Sequence, residues 1–233
     1  MVDFNELRKD FPMLNGKIMQ KHPLVYFDNA ATSLKPYQVI NAEMDYYCNY
    51  CANELRGDYD IAHRVDVEYE KVRNKVAKFI NCDSREVVFT SGASMSLNMV
   101  AHGYALQNLT ADDEILITDA EHASNVLPWF KVAETIHCKI GYINLDREGR
   151  VTIENLKKAL NPHVKIVALA QVTNVLGYSI DIKEFAKVIH QNGAIFVVDG
   201  AQSVPHMKVD VKDADVDFLA FSGHKMCGPT GIG

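Results

Sequence analysis

The chain has 233 residues, 48% of them hydrophobic and 23% charged, and 24 Lys+Arg against 30 Asp+Glu give a formal net charge of −6. That much apolar material excludes a disordered chain, and mild acidity without blocks of like charge leaves no electrostatic footprint for nucleic acid or an anionic membrane. Apolar runs such as AIFVV at 194–198 fall far short of a bilayer span; the opening MVDFNELRKDFPML lacks the apolar core of a signal peptide; five scattered cysteines suit a reducing cytoplasm.

Residues 1–22 are expected to form a short helix, Asp3 to about Lys9, and a loop. Residues 23–233 are expected to form one α/β domain without a linker or repeat. Helical spacing runs from Pro36 to about Tyr50, with Val39, Ile40, Met44 and Tyr47 recurring, and again from about Val65 to Ile80, where Val65, Tyr69, Val72, Val76 and Phe79 share a face. Short apolar runs then alternate with helical stretches. The runs are Val87–Phe89, Ile115–Ile117, Ile140–Ile143, Val164–Leu169, Ile195–Val198 and Phe218–Phe221; the helices cover about 93–108, 123–135, 153–160 and 182–191. Strands apolar throughout are buried on both faces, so this order predicts a mostly parallel sheet with helices on both faces. The final HKMCGPTGIG has no closing helix or polar tail and is expected to mark a cut rather than a domain end.

Such sheets bind ligands at the carboxyl ends of their strands, which makes the residues after each run informative. Ser91-Gly92-Ala93-Ser94 opens a helix and offers either an anion cradle or an ordinary cap. His122, at a strand-to-helix junction, can stack on a planar ring, carry a proton, or simply cap. Asn174 is a donor and acceptor in a loop or a turn former before Gly177. Asp199 ends a fully apolar strand, so its carboxylate needs a cation or several donors, whether an ion partner, a cap or a protonated heterocycle. Lys225, amid small and apolar residues, is either a snorkelling surface lysine or one nucleophilic enough to form a Schiff base. No GxGxxG or GxxxxGK[ST] is present. Together, an anion cradle, a stacking imidazole, a buried carboxylate and a Schiff-base lysine meet the needs of pyridoxal phosphate.

YFDNAAT at 26–32, EHASNVLPW at 121–129, VTNVLG at 172–177, VDGAQSVPH at 198–206 and SGHKMCGPTGIG at 222–233 resemble the class V aminotransferase family, most closely its SUF-type (group II) cysteine desulfurases. The match covers nearly the whole chain, but only the first half to three-fifths of a complete member. The resemblance implies the aspartate-aminotransferase-like, type I PLP-dependent transferase fold. Residues 23–233 would be its PLP-binding large domain, with the small C-terminal domain absent. It implies that Lys225 holds pyridoxal 5'-phosphate, that Asp199 pairs with the ring nitrogen, and that Gln202 bonds the phenolic oxygen. His122 would stack on the ring and assist proton transfer, Asn174 would lie near the phenolic oxygen and substrate carboxylate, and Ala93, Ser94, Ser222 and His224 would hold the phosphate; no metal site is implied. The implied partners are L-cysteine, a second copy in a homodimer of the full-length parent, and a sulfur-acceptor protein for iron–sulfur cluster assembly. Other readings are a selenocysteine lyase, another class V enzyme, or a non-catalytic PLP-binding fragment.

Three departures accompany the resemblance. Ala93-Ser94 stands where the family often has Thr-Thr, and Tyr59 in NELRGDYD at 53–60 stands where histidine is common. The nucleophilic cysteine and the substrate-gripping arginine of the family fall outside this sequence. Among the cysteines present, Cys227 lies nearest Lys225; Cys48 and Cys51 have CxxC spacing without a second pair and are expected to be partly buried helix cysteines.

Overall fold

A computed structural model of the chain describes residues 3–16 and 22–233; the expected N-terminal loop falls partly on 17–21, outside the described residues. Contacts divide the chain into two compact units, one of Met1–Val88 with Gly223–Ile232 and the other of Phe89–Ser222 with Gly233.

The first unit is helical. Asp3 caps α1 (Phe4–Lys9) by accepting the N–H groups of Asn5 and Glu6, and a short α2 (Pro12–Asn15) follows. The two long helices are α3 (Tyr37–Asn49) and α4 (Asp60–Ile80), the latter starting a turn before the expected boundary and closed by left-handed Asn81. The buried stripe of α4 is Ala62, Val65, Ala77 and Ile80, whereas Val72 and Phe79, expected on the inner face, are exposed. The small residues Ala62 and Ala77 let the helix sit close on that side, so the inner face is turned from the one that large apolar residues alone would choose. Met44 and Tyr47 of α3 are also exposed. Cys48 and Cys51 are exposed rather than partly buried, because α3 buries no residue and ends between them.

The second unit opens with α5 (Ala93–Val100), which runs through one π-helical turn (Ala101–Ala105) into α6 (Leu106–Asn108). Then come β1 (Glu114–Ile117), α7 (Leu127–Ile136), β2 (Lys139–Tyr142), α8 (Ile153–Ala159), β3 (Val164–Ala170), α9 (Ile182–Gln191), β4 (Ile195–Asp199), a short α10 (Val211–Ala214) and β5 (Phe218–Ala220). The five strands form one sheet in the order β2-β1-β3-β4-β5, parallel throughout. Every residue of β1 and all but one of β3 are buried, as expected of strands covered on both faces. α7 packs on the α5–α6 helix, while α9 packs on α8 and α10, giving two helical layers. A core cluster of Leu97, Ile115, Ile117, Trp129, Val132, Ile166 and Val197 fills the side between the sheet and the α5–α6 and α7 helices.

Val87–Phe89, expected as a strand, is extended but unladdered. Its neighbour Thr90 exchanges both backbone hydrogen bonds with Gly233, at 2.8 and 2.9 Å; one such pair does not make a strand, and Val88 remains exposed. Among the described residues no helix is long and apolar enough to cross a membrane.

Candidate functional site

The chain leaves β1 for the sheet edge at β2, then returns past β1 to β3 and continues to β4 and β5. Connections from β1 and β3 therefore diverge to opposite faces, which opens a crevice at the carboxyl ends of these two strands. The residues that follow β1 and β3 converge there.

Glu121 bridges that crevice. One carboxylate oxygen accepts the N–H of Ala170, the last residue of β3, and the side-chain amide of Asn125, both at 2.7 Å; the other accepts the hydroxyl of Thr118 at 3.0 Å. Asn125, fully buried, in turn accepts the indole N–H of Trp129 at 3.1 Å. Burial pushes the Glu121 carboxyl up to about 7 against the pull of its hydrogen bonds to Asn125 and Thr118, with the charge of Asp199 adding to the rise.

Asp199 ends β4, is 5% exposed, and accepts the N–H of Ala201 at 2.9 Å. Its own carbonyl accepts the N–H of Gln171. Gln202, three residues after the strand, is buried, as is Ser203. Asn174 lies part-exposed in the turn that Val172 and Ser179 close by an antiparallel bridge, with Gly177 supplying its positive φ of 70°. Beside it, Gln171 is 4% exposed, and its side-chain oxygen is the buried one without a hydrogen-bond partner among the described residues.

The helix end expected to bind an anion is built around Gly92, whose φ of 148° is open only to glycine. Buried Ser222, two residues beyond β5, accepts the N–H of Ala93 at 2.8 Å, so that donor is already engaged. The N–H groups of Ser94 and Met95 lie in the first turn of α5, where a helix supplies no carbonyl. The Ser94 hydroxyl lies 2.6 Å from that of Ser124, and the latter is 3.1 Å from Nδ1 of exposed His122. His122 caps the 3-10 turn Ala123–Asn125, its Nδ1 accepting the backbone N–H of Ser124 at 3.1 Å.

This unit thus gathers Ala93, Ser94 and Ser222 at one helix end, joins Ser94 to His122 through Ser124, and sets Asp199 near Glu121. The donor set fits a phosphate, which takes only donors, and the carboxylate pair fits a cationic ring N–H. Glu121 is driven towards its neutral form beside Asp199, and a protonated heterocycle complements the carboxylate left ionised.

His224 and Lys225 belong to the other unit, in the 3-10 turn Gly223–Lys225. The His224 carbonyl accepts the N–H and hydroxyl of Ser33, both at 2.9 Å, and the Lys35 ammonium at 2.9 Å; its Nδ1 lies 3.2 Å from the Thr32 hydroxyl. Ser33 also accepts the N–H of Cys227 at 2.7 Å. Burial, then Lys225 and Lys35, hold the His224 imidazole below its ordinary range, so the ring is neutral at pH 7. Burial likewise lowers the Lys35 ammonium, against the opposing effect of Cys227. Tyr59 precedes α4 and is exposed. Among the described residues no cluster of three potential metal ligands occurs.

Sequence reasoning passed over Glu121, Ser124, Asn125 and Lys35. The first three stand in EHASNVLPW, where a glutamate and an asparagine flank a histidine ahead of an apolar helix; polar residues that must be buried there carried the signal.

The profile of the family described as Aminotransferase class-V matches residues 25–233. A probable cysteine desulfurase of Halalkalibacterium halodurans is 46% identical over 233 residues, all of this chain and 57% of the relative. The apo structure of a cysteine desulfurase from Thermococcus onnurineus NA1 superposes with a TM-score of 0.91 at 41% identity, over the whole of this chain and 56% of that one. A structure described as SspA in complex with cysteine matches at a TM-score of 0.82 and 28% identity, over 90% of this chain and 60% of its own. The chain spans a little over half the length of the relatives it matches.

Proposed function

The chain belongs to the aminotransferase class-V family, with the type I fold of the PLP-dependent enzymes, and from that premise we propose that it carries the pyridoxal 5'-phosphate site of a cysteine desulfurase. The parent activity would convert L-cysteine to L-alanine and pass the sulfur to a cysteine thiol as a persulfide, a supply for iron–sulfur clusters through an acceptor protein. Residues 23–233 would be the large domain of a cytoplasmic homodimeric enzyme. The observation that carries the reading is buried Asp199 at the carboxyl end of β4, in one unit with Gly92, Ser94 and Ser222 at the start of α5.

In this reading Lys225 is the covalent anchor of the cofactor, Ser94, Ser222 and His224 hold its phosphate, and Ala93 contributes through its N–H, which keeps the Ser222 hydroxyl in place. Gln202 and Asn174 address the phenolic oxygen, and His122 covers the ring. The cofactor, when bound, supplies an electron sink for charge developing on the substrate. Asp199 keeps a proton on the ring nitrogen, because a buried carboxylate is stabilised by the N–H it holds there. His122 moves protons through Nε2, since Nδ1 is committed to the N–H of Ser124. His224, whose Nδ1 faces the Thr32 hydroxyl, serves the phosphate as a hydrogen-bond donor through its other ring nitrogen. Lys35, Thr32 and Ser33 fix the turn that bears Lys225.

The persulfide cysteine and the carboxylate-gripping arginine are assigned to the length of the relatives that this chain does not span, so the chain itself should turn over little or no cysteine. The test is the visible absorption of the purified chain after addition of pyridoxal phosphate, with Lys225→Ala alongside. A band that borohydride traps in the parent chain and that the variant lacks is expected. No band, or an equal band in the variant, refutes the assignment of Lys225.

A further inference from the structure

Two hydrogen-bond contacts run in line from the start of α5 to the imidazole of His122, and a third ends on the same ring nitrogen. Ser94 Oγ lies 2.6 Å from Ser124 Oγ, Ser124 Oγ lies 3.1 Å from His122 Nδ1, and the Ser124 backbone N–H donates to the same Nδ1 at 3.1 Å. A backbone N–H can only donate, so Nδ1 carries its lone pair and neutral His122 is the Nε2–H tautomer. Each serine hydroxyl has a single proton, which leaves two ordered arrangements. Either Ser94 donates to Ser124 and Ser124 to Nδ1, or Ser124 donates to Ser94 and the proton of Ser94 points away from the chain.

A phosphate dianion selects between them. Its oxygens accept only, so a Ser94 hydroxyl that donates to phosphate must accept from Ser124, and the single proton of Ser124 then leaves Nδ1. We propose that Ser124 is a positioning residue forming a two-hydroxyl relay with Ser94, by which occupancy of the anion cradle removes one of the two hydrogen bonds on Nδ1 of His122. No covalent bond changes; the hydroxyls only rotate. The inference deepens the cofactor reading above and rests on its assignment of Ser94 to the phosphate. Both hydroxyls border a groove of about 390 Å³ that Asn98, His102 and Lys131 also line, so a small anion has access from solvent. The relay would make His122 a reporter of cofactor seating, its Nδ1 left with the Ser124 backbone N–H alone only when the phosphate is in place.

The experiment is two-bond 1H–15N correlation of the chain labelled at histidine nitrogens, with His122→Gln to assign the resonances. Inorganic phosphate and then pyridoxal phosphate are added at a pH at which the imidazoles are neutral, and phosphorus line broadening reports binding independently. The expected result is an Nε2–H pattern whose Nδ1 resonance moves downfield as phosphate saturates, towards its position in Ser124→Ala. In Ser124→Ala, which keeps the backbone N–H, phosphate should bind and leave Nδ1 in place. A Ser124→Ala chain that still shows the movement, phosphate bound by the parent chain with Nδ1 unmoved, or an Nδ1–H tautomer would overturn the relay alone. Absence of phosphate binding by the parent chain would overturn the cradle assignment and the relay with it.

Discussion

Glu121 should make the unit that contains it less stable as the solution becomes more alkaline. Its carboxyl lies on three donors from Thr118, Asn125 and Ala170, yet burial and then the nearby Asp199 charge lift it from 4.5 to about 7. The folded chain therefore holds a proton that the unfolded chain has lost between about pH 4.5 and 7, so the stabilisation is complete below 4.5, declines across that window and is gone above 7. At 1.36 kcal/mol per unit of pKa the loss between pH 5 and pH 8 is about 2.5 kcal/mol. Glu121→Gln isolates it, because a neutral amide keeps one oxygen for Ala170 and Asn125 and can donate to the Thr118 hydroxyl. Urea unfolding followed by the single tryptophan, Trp129, which hydrogen-bonds Asn125 in the same network, reads the right region. The parent's stability relative to the variant should fall by that amount between pH 5 and pH 8. Parallel curves for the two chains would show that Glu121 is ionised throughout and that the argument from burial is wrong.

Two further substitutions address the same framework. Trp129→Phe leaves the side-chain oxygen of Asn125 without its indole donor inside a fully buried pocket and should cost about 2–3 kcal/mol by urea unfolding. Gly92→Ala meets no collision, since a Cβ there would lie 3.5 Å from the Ser222 hydroxyl, but it forces a φ of 148° on a residue with a side chain. It should lower stability by about 1–3 kcal/mol in thermal unfolding, and an unchanged transition would show that the loop adopts another conformation at no cost.

The sheet was legible because its strands must be buried on both faces. Ile115–Ile117 and Ile195–Val198 contain only apolar residues, Val164–Leu169 has Lys165 as its one exception, and all became ladder strands. The same reasoning failed at Val87–Phe89, since an apolar run states a preference for burial and says nothing of whether a partner strand lies beside it. Short α2 and α10 escaped notice because four residues carry no period. The helix start at Ala93, the strand-to-helix junction at His122 and the strand end at Asp199 could be placed from the apolar runs before them. Glu121 and Lys35 could not: their importance lies in what they bond to, Ala170 forty-nine residues away and the His224 carbonyl 189 residues away. No local pattern encodes such pairings. On α4, weighting large apolar side chains over alanines turned the expected face away from the observed one.

Gly233 exchanges two backbone hydrogen bonds with Thr90, and a Cβ built on it would stand 2.5 Å from the Gly92 α-carbon and 2.6 Å from the Phe221 carbonyl oxygen. Two glycines 141 positions apart are therefore held in common constraint. A methyl group at 233 would wedge Gly92 away from its place ahead of α5, and a change at 92 would move the backbone against which 233 rests. Substitutions at the two sites should be strongly non-additive, and among relatives that keep this contact the pair should drift together or not at all. Variation at position 233, remote in the chain, is thus as direct a probe of the backbone ahead of α5 as variation within the loop itself.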